Sequence, residues 1–176
     1  TVSPGTATPS QMRGRSILLG YYKRPDANAE SFDGEWFRTG DLFTVDEDGY
    51  YTIVGRIKDM VRRSSENISA REVEAVLNEM PGVEEAAVVP VPDPLRKEEV
   101  KAYIKLKPGV SREDFSLDAL FEHCRKNLAA FKVPRYVAFI DEYPRPPSDK
   151  IAKSKLIAAT DDLRKDSYDR VDGIWR

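Results

Sequence analysis

The stretch "SAREVEAVLNEMPGVEEAAVVPVP" constrains the fold more than any other. Val73, Val76, Leu77 and Met80 recur at the 3.6-residue spacing of a helix with one apolar face, and Pro81-Gly82 then ends the run. Ser69 opens that helix, and with Glu72 three residues on it forms the pattern of a capping box. "VEEAAVVPVP" and "EVKAYIKLK" follow as two strands, with "RKEEVK" read as a solvated loop leading into the second. Leu117, Leu120, Phe121, Cys124 and Leu128 mark a second amphipathic helix capped by Ser116, and "RYVAFID" is a further strand. Helices and strands alternate without a regular βαβ rhythm, so the class is α+β.

Upstream, "EWFRTGDLFTVDEDGYYTIVGR" is predicted as a β-hairpin turning on "DEDG", and "MVRR" as a short strand. "SILLGYY" is expected to be a strand, and "PDANAESF" a helix begun by Pro25. Residues 59 to about 157 are long enough to bury their own core, whereas a hairpin with one extra strand is marginal alone. Beyond Lys150 the charged run "AKSKLIAATDDLRKD" is predicted to be helical.

A net charge of -2 gives no electrostatic reason to expect nucleic acid or an anionic membrane as partner. No apolar run approaches the roughly 20 residues that span a bilayer. A single cysteine excludes an internal disulfide and a cysteine-based zinc site, and suits the cytoplasm. Cys124 falls on the apolar stripe of its helix and is assigned to the core; its neighbour His123 points about 100° away, to the surface. No metal site is expected.

Three charged positions could carry chemistry. Asp41, in "FRTGD", could accept both hydroxyls of a ribose or be an acidic turn residue. Arg56, in "VGRIKD", could hold ribose oxygens or a phosphate, or pair with Asp41. Lys150, after the stiff turn "PRPPSD", could stabilise charge developing on a phosphoryl or acyl oxygen, or be one surface lysine among several. Taken one at a time, each reads as an ordinary surface charge.

Order and spacing change that reading. "LLGYYKRPDANAESFDGEWFRTGDL", "GRIKDMVRRSSENISAREVEAVL" and "FKVPRYVAFIDEYPRPPSDKIAKSKL" together resemble the adenylate-forming, AMP-dependent synthetase/ligase superfamily. Within it the chain looks most like acyl-CoA synthetases of the crotonobetaine/carnitine-CoA ligase type. The resemblance implies activation of a small carboxylic acid by ATP with Mg2+ to an acyl-adenylate, then transfer to coenzyme A. It implies that Asp41 binds the ribose and Arg56 assists it, that Lys58 is a hinge, and that Lys150 is the catalytic lysine. It places Ser64, Ser65 and Glu66 near the passage of the pantetheine arm.

The family's glycine before the lysine is Asp149 here, and its glycine pair before "EN" is Ser64-Ser65. The chain opens on Thr1 rather than methionine, and is read as the C-terminal portion of a longer ligase, inactive alone. Residues 1–57 are then the hairpin tail of a large N-terminal adenylating domain, 58–157 a mixed-sheet lid domain flanked by helices, and 158–176 a charged helical extension. Any homo-oligomer would form through the N-terminal domain. Two alternatives stand beside this reading: an adenylation domain that loads a carrier-protein thiol, and a small non-catalytic interaction domain.

Overall fold

The helix that follows Ser69 buries one stripe, and the rest of its domain is arranged to receive it. In the computed structural model, which describes residues 7–147 and 149–176, that helix is α2 (Ala70–Asn78), with Ala70, Val73 and Leu77 buried. The chain divides into two units, 1–58 and 59–176, each with its own architecture.

In the first unit, β1 (Thr8–Met12), α1 (Pro25–Ser31) and β2 (Phe32–Asp33) precede the hairpin of β3 (Trp36–Val45) and β4 (Tyr51–Arg56). β3 is central and antiparallel to β1, β2 and β4. The side chain of Asp46 ties the hairpin turn by accepting the N–H groups of Asp48 and Tyr50. The strand expected over "SILLGYY" does not form. The Asn28 amide takes both the N–H and the C=O of Tyr21, so a side chain occupies the groups a ladder would need. Leu19 and Tyr22 project into solvent, without the buried face a strand supplies.

The second unit is α+β. It holds β5 (Met60–Arg63), β6 (Glu66–Ser69), α2, β7 (Val83–Asp93), β8 (Lys97–Leu106), α3 (Leu117–Asn127), β9 (Tyr136–Phe139), α4 (Lys153–Ala158), β10 (Tyr168–Asp169) and β11 (Ile174–Trp175). Among the described residues these strands form one mixed sheet in the order β11-β10-β9-β8-β5-β6, with β7 also paired to β8. β8 and β9 run parallel and the other pairs antiparallel.

Side chains of β7 divide by parity. Ala86 and Val88 join the main core with Val73 and Leu77 of α2 and Leu120, Phe121 and Cys124 of α3. Ala87 joins a second core with Tyr143 and Leu156, beneath the Lys150 loop. Burial pushes the Cys124 thiol up to about 11, so it stays protonated and serves as packing. The N–H groups of Ala86 and Val88 are capped by the side chains of Asn78 and Glu74 of α2, which keeps polar groups of β7 from being stranded.

Four local expectations are corrected. Ser69 makes no side-chain cap to α2; Glu72, its partner in the expected box, is drawn instead to Lys132 at 2.6 Å. "RKEEVK" is not a loop, because β8 begins at Lys97 and the buried Glu99 pairs with Arg63 at 2.7 Å and Arg96 at 3.4 Å. His123 is half-buried, with Nε2 2.9 Å from the carbonyl of Val76. The expected helical extension over 158–176 is instead turns and the short strands β10 and β11. Its charges are spent on tertiary partners: Asp169, fully buried, accepts from Arg135 and Arg176 and from the N–H groups of Val171 and Asp172. Lys101, equally buried, donates to the carbonyls of Leu163 and Lys165.

Candidate functional site

Asp41 and Arg56 face each other across the β3–β4 ladder, and the Nε of Arg56 donates to Oδ1 of Asp41 at 3.0 Å. Gly40 just before it takes φ +74, a conformation costly for most other residues, so a glycine sits where the strand needs one. The hydroxyl of Thr39 accepts the N–H of Asp41 and in turn contacts Ser10 of β1. Asp41 is thus held in place by its own backbone and by one guanidinium. Its side chain is 22% exposed, with Oδ2 left to accept further hydrogen bonds. A half-sheltered carboxylate with one oxygen braced and one presented can receive a pair of hydroxyl donors.

Lys58 lies in the 3-10 turn Ile57–Asp59, at the division between the two units. Its ammonium is almost wholly exposed, 3.7 Å from Glu30, a distance worth little in water. Ser64 and Ser65 are the two central residues of the β5–β6 hairpin, since Arg63 pairs with Glu66 across it. Ser64 takes φ +57, and its N–H donates to the carbonyl of Arg96 at 2.7 Å. Ser64, Ser65 and Glu66 are all exposed.

Lys150 is exposed, on the loop between β9 and α4, and has no ion-pair partner among the described residues. The loop is braced from several sides. Tyr143, buried at its start, donates to the carbonyls of Tyr103 at 2.8 Å and Glu85 at 3.1 Å. The carbonyl of Pro144 accepts the N–H of Ala152 at 2.8 Å and closes the neck, while Asp149 N–H donates to Pro146 at 2.9 Å. Asp149 takes φ +59, so the backbone keeps the left-handed conformation that a glycine would favour. Just past Lys150, the ammonium of Lys153 lies 2.6 Å from Glu74 and 4.0 Å from Asp59. Burial pushes the Glu74 carboxyl above its ordinary value, and Lys153 opposes that rise.

Residues 72–150 match the family model for the AMP-binding enzyme C-terminal domain. The chain carries an AMP-binding enzyme C-terminal domain. It is 43% identical over 148 residues to a sulfoacetate–CoA ligase of Cupriavidus necator, covering 83% of this chain and 28% of the relative. It is 44% identical over 164 residues to a putative acyl-CoA synthetase of Bacillus subtilis, YngI, covering 88% of this chain and 29% of the relative. The structure of o-succinylbenzoate CoA synthetase from Bacillus subtilis with its acyl-adenylate intermediate superposes with TM-score 0.80 at 31% identity, over 88% of this chain and 31% of that one. The anthranilate CoA ligase AuaEII with anthranoyl-AMP gives 0.80 at 36% identity, over 90% and 31%. The chain therefore spans under a third of the length of these relatives.

The AMP-binding C-terminal domain contains Lys150 at the last residue of the matched segment, while Asp41, Arg56 and Lys58 precede it. The residues that brace Lys150 escape a linear reading. Arg145 and Lys153 flank it in sequence, but their partners Glu85 and Glu74 lie on β7 and α2, 60 or more residues away, and no local signal pairs them. Among the described residues no group of three His, Cys, Asp or Glu is placed to hold a metal ion.

Proposed function

We propose that this chain is the C-terminal part of an ATP-dependent acid–CoA ligase. A substrate carboxylate oxygen attacks the α-phosphorus of ATP, forming acyl-adenylate and releasing pyrophosphate. The thiol of coenzyme A then attacks the acyl carbon, forming the thioester and releasing AMP. Magnesium comes with ATP as part of the substrate.

In this reading the presented oxygen of Asp41 accepts the ribose hydroxyls, and Arg56 holds that carboxylate in place. Lys58 is the swivel, where backbone rotation moves the second unit between the half-reactions. The ammonium of Lys150 sits against the α-phosphate and the attacking carboxylate, where its charge opposes the negative charge that gathers there. Ser64, Ser65 and Glu66 border the path of the pantetheine arm. The protein works in the cytoplasm.

One observation carries the proposal. An ammonium with no ion-pair partner among the described residues is held out on a braced loop, inside a domain whose relatives are named CoA ligases. A surface lysine would need no such bracing. The test is carboxylate-dependent exchange of pyrophosphate into ATP by the full-length protein that carries this chain. Lys150→Ala is expected to lower exchange about 10²–10³-fold. Exchange at the wild-type rate in that variant removes the role given to Lys150, and absence of any carboxylate-dependent exchange in the wild type removes the function.

A further inference from the structure

Arg145 is five residues before Lys150, and its guanidinium reaches three oxygens at once. One amino group donates to Glu85 of β7, and the other donates to the main-chain carbonyl of Asp149. The same nitrogen lies 3.7 Å from the Asp149 carboxylate. Arg145 and Glu85 are each about one-third exposed, so the pair is neither fully solvated nor buried.

The placement is unusual for a surface ion pair. An ordinary pair joins two side-chain heads and leaves the backbone alone. Here the arginine ties a strand of the sheet to the peptide group that leads directly into Lys150. That peptide belongs to a residue at φ +59, a conformation that costs an aspartate more than it costs a glycine. The hydrogen bond to the carbonyl of Asp149 restrains that backbone directly, while its carboxylate, 89% exposed, adds little. The planar fork of arginine suits the task, and a lysine's point charge could not serve all three oxygens in one geometry.

Resting on the reading of Lys150 given above, we propose that Arg145 is a positioning residue for Lys150: anchored on Glu85, it fixes the backbone of Asp149 from which the lysine emerges. It touches no substrate. Its effect is confined to the half-reaction in which Lys150 is engaged, because a misplacement of about 1 Å at a reacting group can cost on the order of 10²-fold in rate.

The experiment uses the full-length protein and measures the two half-reactions separately. Arg145→Ala is expected to lower pyrophosphate exchange about 10–100-fold, with little change in KM for ATP or acid. Thioester formation from supplied acyl-adenylate should stay within about twofold, since Lys150 is not needed there. Arg145→Lys should fall between wild type and Arg145→Ala. In the Lys150→Ala background, Arg145→Ala should add little further loss, because residues acting through one another are not additive.

Wild-type exchange in Arg145→Ala, or a loss fully additive with that of Lys150→Ala, overturns the proposal. If Arg145→Ala damages both half-reactions, Glu85→Gln decides, since it keeps the shape and removes the anchoring charge. A loss confined to exchange in that variant supports positioning, and an equal loss in both overturns it. The two readings fail differently: a defective Lys150→Ala beside an intact Arg145→Ala sinks only the positioning role. An intact Lys150→Ala sinks the catalytic assignment, and the positioning role with it.

Discussion

The ammonium of Lys153 lies 2.6 Å from Oε1 of Glu74, tying the first residue of α4 to the middle of α2. The same carboxylate oxygen accepts the N–H of Val88 on β7 at 2.7 Å. One partly buried anion thus joins a helix, a strand and the segment that leaves Lys150.

Removing the cation should expose what Glu74 costs. Burial holds the Glu74 carboxyl above its ordinary value and Lys153 opposes that rise. A carboxyl whose folded pKa is raised costs stability when ionised, so its penalty builds as pH climbs from the ordinary value of 4.5 up through the raised one and vanishes when both states are protonated. Lys153→Ala should therefore destabilise by about 2 kcal/mol near pH 8, and by much less near pH 4. Chemical denaturation at the two pH values checks this. An equal loss at both would mean that packing of the lysine stem, not its charge, supports the site.

Asp169 has the opposite sign. Burial alone would raise its carboxyl, but the hydrogen bonds from Arg135 and Arg176 and from the N–H groups of Val171 and Asp172 outweigh it and bring it down to about 2. Its contribution is complete above the unfolded value of 3.8 and is lost as pH falls from there toward about 2. The shift corresponds to about 2 kcal/mol. Wild type should lose that much between about pH 5 and pH 2 relative to Asp169→Asn, whose denaturation midpoint should be flatter over the same range.

In the first unit, Asp41 and Arg56 form an ion pair whose arginine is 63% exposed, so the pair adds little to folding. Its value should lie in what the second oxygen binds. Asp41→Asn should leave the thermal midpoint of the full-length protein nearly unchanged. It should raise KM for ATP roughly 10–100-fold, the loss expected for charge-assisted bonds to a ligand. A fall in kcat with KM unchanged would place Asp41 in another role.

Much of this architecture is legible where interactions are local. Ser116 caps α3 by accepting the N–H of Ala119 at 3.2 Å, as its position before an apolar stripe implies. Ser69 has the same pattern, yet Glu72 is claimed by Lys132, 60 residues further on, and the box does not form. Local propensity gave way to a tertiary partner. The tail shows the same limit: "DDLRKD" has the composition of a helix, but the buried Asp169 and Lys101 hold the tail to the sheet. Order and spacing single out Asp41, Arg56 and Lys150 as candidates, whereas the groups that brace Lys150 needed the fold. Arg145 meets Glu85, and Lys153 meets Glu74, only because β7 and α2 are brought beside the loop.

Two positions that depart from the resembled family pattern keep the backbone a glycine would adopt. Ser64 stands at φ +57 and Asp149 at φ +59. Glycine reaches that region without the steric cost an L side chain carries, a difference of roughly 1 kcal/mol, but it also adds freedom to the unfolded chain. Among the described residues Ser64 makes a backbone bond to Arg96 that glycine keeps and no side-chain hydrogen bond, so Ser64→Gly should stabilise by up to about 1 kcal/mol. At Asp149 the gain is smaller, because an aspartate tolerates this region better than a serine and its exposed carboxylate contributes little through Arg145, so Asp149→Gly should be close to neutral. Asp149→Val, β-branched and without a carboxylate, should destabilise by more than about 1 kcal/mol and lower exchange activity with it. Denaturation midpoints for the three variants test the ordering. If Asp149→Val proves as stable as Asp149→Gly, the left-handed backbone at this loop imposes no strain, and the replacement of glycine by aspartate needed no compensation from Arg145.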